Sequence, residues 1–156
     1  MQRTTSRAAG LHRASLVKLH ELDAALELMY YGWRGMTLAA DQYLATLGLS
    51  RAHHRILYVV ARQPDISIGT LTETLGISKQ ALNRPLSQLL QRKLLAARRS
   101  PEQHRSKLLQ VTAEGRRVEQ RASGHERKIM REAFDRVGAP GAAGWMAVME
   151  VIADNS

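Results

Sequence analysis

The sequence predicts a mainly α fold carrying one small β-hairpin, and three observations predict it. Apolar residues recur at three- and four-residue steps along most of the chain. Two helical segments in the middle meet across a short connection containing Gly76. Two strand-length segments then flank a loop beginning Ser100-Pro101. No internal repeat or low-complexity segment is visible. The 156 residues suit one domain with a real core.

The first thirteen residues, MQRTTSRAAGLHR, are basic and lead into no apolar signal region. They read as a disordered tail over 1–13, with a single domain over 14–156. From Ala14 to Met36, Leu16, Leu19, Leu22, Leu26, Met29, Tyr30 and Trp33 form one helical stripe. Gly32 and Gly35 weaken that helix, and Thr37 can cap a continuation to Leu47. After Gly48, Ser50 caps a helix from Arg51 to about Arg62, with Ile56, Leu57, Val59 and Val60 inward. Gln63-Pro64-Asp65 is a turn, and Ile66-Ser67-Ile68-Gly69 starts a short helix through Leu75.

Gly76 supplies the left-handed position that ends that helix, and Ser78 caps the next. There Leu82, Leu86, Leu89 and Leu90 fall on one face. Lys79, Gln80, Asn83, Arg84, Ser87, Gln88, Gln91 and Arg92 take the other. The arrangement is a helix-turn-helix. Leu94–Arg99 and Lys107–Thr112 are the hairpin strands, and Thr112 caps a long helix to about Val137. Gly138-Ala139-Pro140-Gly141 breaks it, and a last helix carries Trp145, Val148, Met149 and Ile152.

Charge singles out one stretch. The chain carries a net +9, and residues 79–107 hold eight Lys/Arg against Glu102 alone, a net +7. Such concentration suits a polyanion. Cysteine is absent, which excludes a disulfide framework or thiol switch and fits a cytoplasmic protein. No apolar run is long enough for a membrane span. His53 and His54 are adjacent, so on a helix they diverge by about 100° and do not share a metal easily. No nucleophile–base arrangement, phosphate-cradling loop or carboxylate cluster points to an enzyme, and no cofactor or metal is expected.

The string SIGTLTETLGISKQALNRPLSQLLQRKLL followed by ARRSPEQHRSKLLQVTAEG resembles the MarR family of transcriptional regulators, from its helix-turn-helix through the wing to the next helix. The resemblance covers about residues 50–118 well. It implies a winged helix-turn-helix over 50–112, flanked by N- and C-terminal dimerisation helices over 14–47 and 113–156. It also implies a homodimeric, sequence-specific regulator of duplex DNA, a repressor, with each recognition helix in a major groove and each wing in a minor groove. A small aromatic effector would release it. The alternative is a winged-helix interaction or architectural module that does not read sequence.

The residues supply their own reasons for DNA contact. Gln80 and Asn83 carry amides that match adenine, and Arg84 has the fork that matches guanine. Ser78, Lys79 and Ser87 suit phosphates, and the helix start adds a favourable dipole and free N–H groups. Arg98, Arg99 and Lys107 would hold the strands near the DNA backbone, and Arg105 matches the family's arginine at the hairpin tip, suited to a narrow minor groove. Gln88, Gln91 and Arg92, further along, are expected in solvent. Tyr30, Trp33, Met36, Tyr43, His54 and Tyr58 lie on segments that would flank an effector pocket; ordinary packing is the competing expectation for each.

Three positions depart from the family pattern. Gln103 stands where an aspartate usually braces the wing arginine. Lys93 replaces a common helix-ending glycine. Pro85 lacks the N–H that the Ala81 carbonyl would accept, at a cost of about 3 kcal/mol inside a helix. Either the helix kinks there, as the continuous leucine spacing favours, or it begins near Asn83 with Pro85 in its first turn.

Overall fold

The computed structural model describes residues 21–101 and 107–155. The expected tail over 1–13, Leu16 and Leu19, and the hairpin tip with Gln103, His104 and Arg105 lie outside these residues. The chain divides into two compact units, residues 1–38 and 39–156. In order, the elements are α1 (Glu21–Thr46), α2 (Arg51–Arg62), β1 (Ile66–Ser67), α3 (Ile68–Leu75), α4 (Lys79–Gln91), β2 (Leu95–Arg99), β3 (Lys107–Val111) and α5 (Ala113–Ala153).

Within the first unit, Ala24 and Thr37 are buried, whereas Leu22, Leu26, Met29, Tyr30 and Trp33 are exposed. α1 passes unbroken through Gly32, Gly35 and Thr37, so the expected new cap at Thr37 does not form. Each glycine costs a helix only about 1 kcal/mol relative to alanine, too little to stop 26 residues.

The core of the second unit joins Leu44, Ile56, Leu57, Val60, Leu71, Leu82, Leu89 and Leu109, each almost wholly buried. The turn at Asp65, whose φ is +63°, leads into a two-residue strand that the sequence reading placed in a helix start. Ile66 pairs with Leu109 and Ser67 with Leu108, making a three-stranded antiparallel sheet in the order β1-β3-β2. Ser67 then caps α3, its Oγ accepting from the Thr70 N–H at 3.1 Å. Two residues of strand followed by a helix leave too little alternation for a strand to be seen in sequence.

α4 runs continuously from Lys79 to Gln91 with Pro85 inside, which overturns the start near Asn83. Ser78 Oγ accepts from the Ala81 N–H at 3.1 Å, fixing the start one turn and more before the proline. The helix therefore tolerates the lost bond without a break. At its other end Lys93 adopts φ +56°, the conformation a glycine would supply. The Lys93 N–H donates to Leu90 O at 3.1 Å and the Leu94 N–H to Leu89 O at 2.9 Å, the paired bonds of a Schellman ending. The turn is thus the glycine turn with a lysine in it, held because Leu89 and Leu94 are both buried beside it.

The glycine of VTAEG has a packing reason. Thr112 caps α5, accepting from the Gly115 N–H at 3.0 Å, while its own N–H donates to Leu94 O at 3.1 Å. The first turn of α5 is thereby drawn onto the Leu94 carbonyl, and a Cβ on Gly115 would overlap that oxygen. α5 leaves helical dihedrals at Gly138 (φ 71°, ψ 178°), where the sequence places its break.

Candidate nucleic-acid interface

The two faces of α4 are sharply different. Leu82, Leu86 and Leu89 are buried, whereas Ser78, Lys79, Gln80, Asn83, Arg84 and Ser87 are exposed. Gln80, Asn83, Arg84 and Ser87 recur at three- and four-residue steps, so one side of the helix presents two amides, a guanidinium and a hydroxyl together. The helix start adds free N–H groups and the positive end of the helix dipole.

The hairpin places Arg99 directly opposite Lys107, and Arg98 opposite Leu108. Like charges facing one another across two strands destabilise the isolated fold. Their juxtaposition suits a surface completed by an anion. Arg98 lies next along the strand, and its Nε donates to Asp65 Oδ1 at 2.9 Å. Gln110 Nε2 donates to the same oxygen at 2.8 Å. The Arg98 bond holds the Asp65 carboxyl below its usual range. Arg98 thus braces the loop-side half of β2 against the turn before β1, a partner invisible in the sequence because 33 residues separate the pair. Arg105 lies outside the described residues.

Gln88 is the clearest departure from expectation. It is half-buried rather than solvated, and its Oε1 lies 2.8 Å from His53 Nε2. One turn beyond Arg84, the face of α4 has rotated far enough to meet α2. Nothing local in the sequence distinguishes Gln88 from Gln91, the same side chain one turn on, which is exposed.

On α2, His54 points about 100° around the helix from its neighbour. Its Nε2 lies 3.0 Å from Ser123 Oγ, which donates to Glu119 Oε1 at 2.7 Å. Arg62 also reaches Glu119 Oε1, at 2.9 Å. Glu126 Oε1 accepts from Arg51 Nη1 at 2.7 Å, and Arg51 Nη2 donates to Asp41 at 2.6 Å. This network pins α2 between the end of α1 and α5.

The remaining effector candidates divide between the units. In the first, Tyr30 meets Tyr31 edge-on at 5.3 Å and Arg34 lies 5.7 Å over its ring; Trp33 is exposed and Met36 half-buried. In the second, Tyr58 lies 6.4 Å from His54, with the Arg62 guanidinium 3.4 Å over its ring. Tyr43 faces His125 at 6.0 Å and Arg121 at 4.8 Å. No helix among the described residues is long and apolar enough to cross a membrane.

Comparison with known proteins agrees with this architecture. The family model described as MarR family matches residues 47–106. The HTH-type transcriptional regulator PetP of Rhodobacter capsulatus is 33% identical over 134 residues, which is 86% of this chain and 81% of that protein. FabT of Streptococcus pneumoniae, solved in complex with DNA, superposes with a TM-score of 0.76 at 14% identity, covering 87% of this chain and all of FabT. Rv2887, a MarR family protein of Mycobacterium tuberculosis solved with p-aminosalicylic acid, gives 0.59 at 23% identity over 81% of this chain and 96% of its own. The helix-turn-helix, the hairpin and the extent of the PetP match make this chain a member of the MarR family of winged helix-turn-helix transcriptional regulators.

Proposed function

We propose that this regulator is a homodimeric repressor that reads duplex DNA with α4 in the major groove and its hairpin in the adjoining minor groove. The observation that carries the reading is the exposed row Gln80, Asn83, Arg84 and Ser87 on a helix whose opposite side is buried leucine. Gln80 and Asn83 each pair a donor with an acceptor for adenine, and Arg84 offers two donors to guanine. Ser78, Lys79, Arg98, Arg99 and Lys107 supply phosphate contacts, and Arg105 enters the minor groove. FabT, similar in fold, was solved on DNA.

Two exposed apolar surfaces support a dimer. Leu22, Leu26, Met29 and Trp33 form one, and Trp145, Met146, Val148 and Ile152 another. Burial against a second copy would take both out of water. Residues 14–47 and 113–156 therefore serve dimerisation and 50–112 DNA binding. Tyr43 and Tyr58, both beside guanidinium groups, suit a small aromatic acid that releases the DNA, and the p-aminosalicylate bound to Rv2887 is of that class.

Selection of bound sites from random duplexes tests this. A palindrome with half-sites about one helical turn apart is the expected product. Enrichment without sequence would reduce the protein to an architectural binder, and affinity indifferent to salt would remove DNA binding altogether.

A further inference from the structure

His53 is buried, with 8% of its surface exposed, and both ring nitrogens are engaged. The backbone N–H of Ser50 donates to Nδ1 at 3.0 Å, and Ser50 Oγ lies 2.9 Å from the same atom. Nδ1 therefore carries a lone pair, so in the neutral ring the proton sits on Nε2. That N–H donates to Gln88 Oε1 at 2.8 Å. One side chain closes the start of α2 with one nitrogen and grips the recognition helix with the other.

Leucine packing holds α4 against the core, but such contact is non-directional and tolerates small rotations. Hydrogen bonds are directional, and one in a half-buried seam fixes an angle as well as a distance. Gln88 follows Arg84 by four residues, so it lies one turn along and about 40° around from it. Pro85 lies between them and leaves the Ala81 carbonyl without its helical partner, removing one strut between the reading segment and the held segment. The orientation of Asn83 and Arg84 then depends on what fixes the helix just beyond.

We infer that His53 is a positioning residue for DNA reading, setting the rotation of α4 through Gln88. The inference rests on the DNA-reading role proposed above. It touches no base or phosphate itself.

The test uses the full-length protein and the duplex it selects, measuring affinity for that duplex and for random duplex at several salt concentrations. His53→Asn keeps an acceptor near Nδ1 for the Ser50 N–H and cannot reach Gln88. It should lower the ratio of specific to random affinity about three- to tenfold, the worth of one neutral hydrogen bond, with the salt dependence unchanged. His53→Gln, whose amide N–H reaches as far as Nε2, should restore the ratio. Gln88→Met should reproduce the loss, and the double variant His53→Asn with Gln88→Met should be no worse than either. Retained discrimination in His53→Asn, or additive losses in the double variant, would overturn the positioning role while DNA reading stands. A wild-type protein that selects no sequence would overturn DNA reading, and this inference with it.

Discussion

His54 Nε2 lies 3.0 Å from Ser123 Oγ, and the Ser123 hydroxyl is committed as a donor to Glu119. The imidazole must therefore donate from Nε2, which leaves a lone pair on Nδ1. That nitrogen is buried without a hydrogen-bond partner, 3.9 Å from Glu126 Oε1. Two opposed influences meet there. Burial disfavours the charged ring, and Arg51 and Arg55 add to it; Glu126 and Glu119 favour the charge. Burial is the largest and holds the imidazole below its ordinary value.

A base whose proton is held more weakly in the folded state makes acid favour unfolding. Stability from His54 is complete above the ordinary imidazole value of about 6.5 and is lost as pH falls through the lowered folded value. The urea midpoint should therefore drop on acidification from about pH 7.5 towards 5. His54→Gln, which can still donate to Ser123 but does not titrate, should flatten that dependence. An equally steep profile in the variant would show that other groups carry it.

Gly115 and Leu94 set a second expectation. Gly115→Ala forces a Cβ into the Leu94 carbonyl, which also receives the Thr112 N–H. Backbone on both sides cannot give way cheaply, so the substitution should cost about 3 kcal/mol or more. Chemical denaturation checks it. A neutral result would mean that α5 sits further from β2 than the cap geometry places it.

Lys93→Gly runs the other way. The position already has φ +56°, so glycine removes a left-handed penalty of about 1 kcal/mol, offset in part by a looser unfolded chain. A rise in Tm of about 3 °C is expected. Because Lys93 lies within the basic stretch, its DNA affinity should be compared at matched salt.

Arg99 and Lys107 face one another on the hairpin, and each is proposed to meet a phosphate. Arg99→Gln should reduce the slope of log affinity against log salt by about one per subunit. Relief of the like-charge pair should leave stability unchanged or slightly raised. An undiminished slope would take Arg99 out of the interface.

The sequence by itself determined the helices and the hairpin from Arg51 to Val137, apart from the short strand β1, together with the leucine face of α4 and, Gln88 aside, the polar face opposite it. It also located the basic stretch and the break at Gly138. These are local properties: periodicity, capping residues and charge counts act over a few residues and need no partner. Even Lys93, which looks like a departure, keeps the backbone of the glycine it replaces, because buried Leu89 and Leu94 enforce that turn.

Only the tertiary structure decided the rest. That Gln88 turns inward to His53, that Asp65 braces Arg98, and that His54 joins a carboxylate network on α5 all depend on pairs far apart in the chain. Hydrogen bonds between such residues leave no periodic trace, since one polar residue at a helix seam looks like any other on a solvated face. The strand at Ile66–Ser67 likewise exists because β3 offers it a partner. The unbroken α1 through Gly32 and Gly35 marks the opposite limit, where two weak local signals were outweighed by the cooperativity of a long helix.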